Sequence, residues 1–328
     1  MVNVAINGFG RIGRLVFRLG YKELNIVAVN DLGDVSTLAY LLQNDSVHGK
    51  FDAKVEVKGS SIFVDGKETK FFAEKEPEKL PWGNLKIDVV AECTGKFRRK
   101  EEAEKHIKAG AKKVVISAPA KGDGVNSIVL GVNDSVLKKG ENIIDMASCT
   151  TNCLMPVMKV LNDRFRIKRA LMTTVHAYTN DQAILDISHK DMRRARAAAV
   201  NIIPTSTGAS KAASKVIPEL KGKVEGMAIR VPVPDGSLVD LVTELEKETT
   251  VEEVNRAMKE ASEGKLKGIL EYSEEPLVSS DIVGNLHSAV FDAQSTIVLG
   301  GTLVKTIAWY DNEAAYSKRM VELMKKWA

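Results

Sequence analysis

The chain opens with an apolar run at residues 2–6, then Gly8-Phe9-Gly10-Arg11-Ile12-Gly13, then a helix-like stretch over 11–21. No other feature constrains the fold as strongly. A Gly-x-Gly-x-x-Gly between a strand and a helix permits a tight turn, lets the backbone approach a pyrophosphate and aims the helix N-terminus at it. A second strand candidate at 26–29 runs into Asn30-Asp31. A carboxylate at that point accepts a hydrogen bond from a ribose 2′-hydroxyl and repels a 2′-phosphate. Glycines alone would mark a packed turn beside a surface Asp. Strand, glycines, helix and acid together predict dinucleotide binding through Gly8, Gly10, Gly13 and Asp31.

The first half continues as strand and helix in alternation: a strand at 87–92, a charged helix over 99–109 and a strand at 113–117. Pro77, Pro81 and Gly83 mark an irregular insertion. Such alternation predicts a doubly wound parallel sheet of Rossmann type. The second half begins with Ser148-Cys149-Thr150 and a helical pattern to about Phe165. Strand candidates follow at 169–175, 226–231, 238–246 and 304–310. Thr250 and Glu253 are spaced as a capping box for a helix that ends near Gly264. This half predicts an α+β domain with a mostly antiparallel sheet. The expected division is a dinucleotide domain over 1–147, to which a C-terminal helix at 312–328 returns, and a catalytic domain over 148–311.

Charge excludes some functions. Lys and Arg number 47 against 43 Asp and Glu, interspersed along the chain. That reads as a solvated surface, and nucleic acid is not indicated. No apolar run approaches the roughly 18 residues of a membrane span. The first residues lack the basic and apolar regions of a secretory signal. The cysteines Cys93, Cys149 and Cys153 are an odd set, which fits free thiols in a reducing cytoplasm.

Ser148 is a natural N-cap and would place Cys149 in a first helical turn, where orphan N–H groups favour a thiolate. Cys153 sits one turn deeper, and it and Cys93 read as structural. No His or further Cys sits at ligand spacing from the Cys149 and Cys153 pair, so no metal is expected. His176 closes the apolar run 171–175, whereas His48, His106, His189 and His287 have more polar neighbours. A histidine emerging from a buried strand can serve a cysteine as base; it can also be a satisfied strand-end residue. Anion-binding pieces complete the set. These are Arg193, Arg194 and Arg196, the Thr205-Ser206-Thr207-Gly208 segment before a helix at 209–215, and Arg230 at a strand end. Each alone is also ordinary surface charge or a capped helix.

Taken together, the residues resemble the phosphorylating, bacterial-type glyceraldehyde-3-phosphate dehydrogenases over essentially the whole chain. The markers are Asn7-Gly8-Phe9-Gly10-Arg11-Ile12-Gly13-Arg14, Asn30-Asp31-Leu32, Ser117-Ala118-Pro119 and Ala147-Ser148-Cys149-Thr150-Thr151-Asn152. Further markers are residues 176–182, Asn201-Ile202-Ile203-Pro204-Thr205, Arg230-Val231-Pro232 and Trp309-Tyr310-Asp311-Asn312-Glu313. The resemblance implies oxidative phosphorylation of glyceraldehyde 3-phosphate, with Cys149 as nucleophile and His176 as base. It implies an inorganic-phosphate site at Ser148, Thr150, Thr207 and Gly208, and substrate contacts at Thr179, Arg194 and Arg230. Cofactor positions would be Gly8, Gly10, Arg11, Ile12, Gly13, Asp31, Lys75, Ser117, Asn180 and Asn312. Residues 178–201 match a loop that lies between subunits in the family's homotetramers. Erythrose-4-phosphate dehydrogenase and a non-catalytic dinucleotide-dependent binder of RNA or protein are the alternatives.

Some positions depart from the family's usual pattern. Ile187-Ser188 replaces a common Leu-Pro, and a Ser there is familiar in members that accept NADP. Asp31 argues for NAD, so NAD is the expected cofactor with NADP as a second. Ala314-Ala315 replaces a bulky residue and Gly. Lys75 and Ala183 each replace a frequent Arg.

Overall fold

The computed structural model describes residues 1–137 and 140–328. They form two compact units, one of residues 1–128, 135–147 and 317–328, the other of 129–134 and 148–316. Relative to the expected division, 129–134 and 312–316 lie with the second unit. Gly131 backs onto Leu266 and Ile269, and Asn312 is tethered to Asp235 and Ser237.

The first unit alternates β1 (Asn3–Asn7), α1 (Arg11–Gly20), β2 (Asn25–Asn30) and α2 (Val35–Gln43). It continues with β3 (Val55–Lys58), β4 (Ser61–Val64), β5 (Lys67–Phe72), β6 (Val89–Glu92), α3 (Lys100–Lys108), β7 (Lys113–Ile116), β8 (Asn126–Ser127) and β9 (Ile143–Asp145). Among the described residues these strands make one sheet in the order β8-β9-β7-β6-β1-β2-β5-β4-β3. From β8 to β5 every pairing is parallel. Val4, Ala5, Ile6, Ala28, Val29, Val89, Val90 and Val114 are fully buried, as parallel strands covered on both faces must be. The sequence reading anticipated this sheet but not the antiparallel meander β3-β4-β5 at its edge.

The second unit begins with α4 (Cys149–Phe165) and β10 (Ile167–Ala177). After these come β11 (Ile203–Ser206), α5 (Ala209–Val216), β12 (Val224–Val231), β13 (Ser237–Leu245) and α6 (Val251–Glu263). Next are β14 (Leu270–Ser273), α7 (Ser279–Ile282), β15 (Ala289–Leu299), β16 (Leu303–Tyr310) and α8 (Ala314–Trp327), of which residues from Ser317 onward belong to the first unit. The sheet order is β11-β12-β10-β13-β16-β15-β14. It is mixed but mostly antiparallel, with parallel pairs only at β10/β12 and β14/β15. Thr250 and Glu253 form the expected capping box of α6, and Gly264 is its C-cap.

A buried polar network braces the strand ends beneath the glycine loop. His106, which the sequence places among polar neighbours, is fully buried. The helix around it is charged, but Ala103 and His106, three residues apart, share its one inward face. Trp82 Nε1–H donates to His106 Nδ1 at 3.0 Å, so the ring proton sits on Nε2, 3.0 Å from Glu92 Oε2. Asn7 Nδ2 donates to the same Glu92 oxygen at 2.6 Å, and Asn30 Nδ2 donates to Asn7 Oδ1 at 2.7 Å. The ends of the adjacent strands β6, β1 and β2 are thereby tied together where the loop starts. His106→Phe would leave the Trp82 N–H without its acceptor and remove one donor from the Glu92 carboxylate, which keeps Asn7 and Thr94. It should cost about 1 to 3 kcal/mol, the cost of one buried group left unpaired. Urea unfolding measures this, and an unchanged midpoint would contradict it.

Candidate active site

In the first unit the three glycines have different jobs. Gly8 has φ +92°, and a Cβ there would lie 2.6 Å from the Thr94 nitrogen. A Cβ on Gly13 would lie 2.1 Å from the Gly8 carbonyl oxygen, so α1 packs directly on the loop. A Cβ on Gly10 would meet nothing within 4 Å. Gly10 is also the N-cap of α1, without a side-chain cap, and the first turn carries no acid. The helix start thus offers open, uncapped N–H groups to an anion.

A cavity of about 440 Å³ here is lined by Gly8, Gly10, Asn30, Asp31, Lys75 and Thr94, among others. The Asp31 carboxylate accepts the Phe9 N–H at 2.7 Å and the Gly33 N–H at 2.9 Å, which fixes it beside the loop. Arg11 pairs with Asp45. Burial pushes the Asp45 carboxyl up, but Arg11 and the His48 and Val47 N–H groups outweigh it and hold it at about 2. Ile12 is half-buried in the first turn. Ser117 follows β7 and donates its N–H to the Glu92 carbonyl at 2.9 Å. An open helix start, a glycine that leaves room and a fixed acid fit a dinucleotide with a free ribose hydroxyl.

In the second unit Ser148 caps α4, its hydroxyl accepting the Thr151 N–H at 3.1 Å, so Cys149 is the first helical residue. Cys149 Sγ lies 3.5 Å from His176 Nε2. His176 Nδ1 is 2.7 Å from the Ala177 carbonyl. A proton on Nδ1 satisfies that carbonyl and leaves the Nε2 lone pair toward sulfur, whereas donation from Arg230 Nη1, 2.9 Å from the same Nδ1, would place the ring proton on Nε2. Strand register adds the cation, because β10 and β12 pair His176 with Arg230. Arg230 Nη1 donates to the Ala177 carbonyl at 2.9 Å and to Thr179 Oγ1 at 3.5 Å.

Burial opposes the expected lowering of the thiol pKa. Burial pushes the Cys149 thiol up to about 11, although Arg230 and the Thr150 N–H pull the other way. Burial, then Arg230, holds His176 down at about 3. Both shifts favour the uncharged forms, a thiol beside a neutral imidazole. Burial also lowers the Arg230 pKa, with Arg194 adding repulsion.

Of the anion-binding pieces, Arg194 joins the Thr205-Ser206 segment. Arg194 Nε donates to Thr205 Oγ1 at 2.9 Å and Nη2 to the Ser206 carbonyl at 3.0 Å, and it also pairs with Asp181. Arg193 and Arg196 are exposed, the latter 3.1 Å from Asp186. Thr207 Oγ1 accepts the Ala209 N–H at 3.2 Å, and Gly208 caps α5 with open space where a Cβ would be. Thr150 Oγ1 is 2.9 Å from the Tyr310 hydroxyl. Asn180 is exposed, and Asn312 is buried. Cys153 is buried against the Ala308 carbonyl at 3.6 Å, and Cys93 is half-buried.

Sequence reasoning missed Tyr310, whose ring meets His176 edge-on at 5.9 Å and whose hydroxyl bridges Thr150 and Thr174. It also missed Asp235, which accepts the Asn312 N–H at 3.1 Å. Burial and neighbouring Asp311 push that carboxyl up to about 9. The Tyr310-Asp311-Asn312 run at a strand end was the available signal.

Comparison with known proteins decides the family. Residues 2–100 match the glyceraldehyde 3-phosphate dehydrogenase NAD binding domain, and 148–312 match the C-terminal domain of the same family. The chain belongs to the glyceraldehyde-3-phosphate dehydrogenase family. It is 60% identical over 325 residues to the glyceraldehyde-3-phosphate dehydrogenase of Geobacillus stearothermophilus, covering 98% of this chain and 97% of the relative. Glyceraldehyde-3-phosphate dehydrogenase 1 of Bacillus subtilis is 61% identical with the same coverage. The Thermotoga maritima enzyme is 59% identical over 328 residues, or 99% and 98% of the two chains.

Within this family fold, a protonated thiol beside a neutral imidazole has a kinetic signature. The thiolate fraction grows with pH below the thiol pKa, so the rate of Cys149 alkylation by iodoacetamide should rise from pH 7 to 9 in the unliganded protein. A rate flat across that range would mean that the thiolate is already formed.

Proposed function

We propose that the chain oxidises glyceraldehyde 3-phosphate and phosphorylates the product, using the Cys149–His176 pair as nucleophile and base. The observation that carries this is the 3.5 Å approach of Cys149 Sγ to His176 Nε2 at a helix start, beside the Arg230 guanidinium. Family membership supplies the reaction class.

The Cys149 sulfur adds to the aldehyde carbon. His176 Nε2 takes the thiol proton and returns it to the former carbonyl oxygen, giving a thiohemiacetal. The Cys149 N–H, at the first position of α4, stabilises charge on that oxygen. His176 then accepts the hydroxyl proton as the carbon–hydrogen bond breaks, leaving a thioester on Cys149. NAD, when bound, supplies the hydride acceptor. A phosphate oxygen attacks the thioester carbon, the carbon–sulfur bond breaks, and His176 returns its proton to sulfur. Sulfur suits both addition and departure. Arg230, Arg194 and Thr179 would hold the substrate phosphate. Ser148, Thr150, Thr207 and Gly208 would receive inorganic phosphate.

Gly8, Gly10, Arg11, Ile12, Gly13, Asp31, Lys75 and Ser117, with Asn180 and Asn312 from the second unit, are the proposed cofactor residues. A homotetramer is also proposed. Ile184 and Met192 in the 178–201 loop are 84% and 87% exposed, more than single large apolar residues need be, and a second copy of the chain would cover them. No helix among the described residues is long and apolar enough to cross a membrane, and a cytoplasmic location fits the free thiols.

Initial rates of cofactor reduction test the reading. Turnover with glyceraldehyde 3-phosphate should depend on inorganic phosphate, and Cys149→Ser should abolish it while leaving NAD binding intact. Wild-type turnover by Cys149→Ser would overturn the assignment. The rate with NAD should exceed that with NADP, and Asp31→Asn should narrow the gap by weakening repulsion of the 2′-phosphate. An unchanged ratio would remove Asp31 as the discriminating group.

A further inference from the structure

Asn312 is held from two directions by Asp235 and Ser237, which flank Gly236. Asp235 Oδ1 accepts the Asn312 backbone N–H at 3.1 Å, and the Ser237 hydroxyl lies 2.6 Å from Asn312 Oδ1. Gly236 between them has φ +84°, and a Cβ there would lie 2.2 Å from the Ser279 carbonyl oxygen. That left-handed turn aims two successive polar side chains at one target. Pairing of β13 with β16 sets Ser237 opposite Tyr310, two residues before Asn312.

The Ser237 hydroxyl has a fixed polarity. It accepts the Ala177 N–H at 3.0 Å, so its single proton goes to Asn312 Oδ1. The amide oxygen is therefore engaged. Flipping the amide would leave the buried Ser237 proton without an acceptor. Among the described residues no group accepts from Asn312 Nδ2. Asn312 is thus set as a pure hydrogen-bond donor, and the ligand group that fits it is a carbonyl oxygen.

We propose that Ser237 is a positioning residue that locks the Asn312 amide so that Nδ2 donates to the carboxamide oxygen of the nicotinamide ring. This rests on Asn312 being a cofactor contact, as proposed above. Ser237 itself touches no cofactor atom in this account; it acts through Asn312.

A binding cycle tests it. Dissociation constants for NAD and for ADP-ribose, which lacks the nicotinamide, are measured by calorimetry. The proteins are wild type, Ser237→Ala, Asn312→Ala and the double variant. Ser237→Ala should weaken NAD binding by about fivefold, the size of one net hydrogen bond. It should leave ADP-ribose binding unchanged and cause no further loss of NAD affinity in the Asn312→Ala background. Unchanged NAD affinity in Ser237→Ala overturns the proposal. So does an equal loss for NAD and ADP-ribose, or the same loss in both backgrounds, because either would show Ser237 acting through the fold or through Ala177. If Asn312→Ala alone leaves NAD affinity intact, Asn312 is not a cofactor contact, and that reading fails with the proposal. Should Ser237→Ala not fold, Ser237→Cys keeps the volume with a weak donor and carries the same cycle.

Discussion

The second unit depends on the register of one strand. β10 lies between β12, parallel to it, and β13, antiparallel to it. That register sets His176 against Arg230 on one side, while the Ala177 N–H reaches Ser237 on the other. A slip of one residue would turn His176 to the opposite face of the sheet. Burial alternates along the strand, with Ala170, Met172, Thr174 and His176 inward. Hydrophobic burial of this one face therefore holds the base in position. The Ala177 peptide is the junction: its carbonyl faces His176 and Arg230, and its N–H faces Ser237.

Burial that fixes the geometry also sets the charge state. Removing Cys149 and His176 from water disfavours both ions, and Arg230 adds to the cost of a second cation at His176. Burial thus favours proton transfer between them within the reaction over a resting ion pair. The helix start and Arg230 favour negative charge on sulfur, and they gain importance as the proton leaves. The first unit works differently. Its binding surface is mainly backbone, shaped by three glycines and braced by Asp31 and the His106–Glu92–Asn7 network.

Much of this was legible in the sequence because short-range signals carried it. The glycine motif, the Ser148 cap and the Thr250–Glu253 box each act within a few residues. Strand–helix alternation led to the parallel sheet, and the long apolar runs to the core strands of the second sheet. Other parts were not legible. β3, with sequence Val-Glu-Val-Lys, is half-exposed and lacks a strong apolar face. β15 is interrupted between Asp292 and Ile297, where its register shifts, and that hides its alternation. His106 was passed over because its helix is charged on every side but one. The pKa directions depended on desolvation, which no local motif encodes. Ser237 carried no signal, because its role arises from pairing with distant strands.

The central claim is that Cys149 carries the substrate covalently. Mass spectrometry of peptides from protein mixed with glyceraldehyde 3-phosphate and NAD, without phosphate, tests it most directly. The account predicts an acyl adduct on the peptide containing Cys149, which disappears when inorganic phosphate is added. Reduced cofactor with Cys149 unmodified, or an adduct at Cys93 or Cys153 instead, would contradict it.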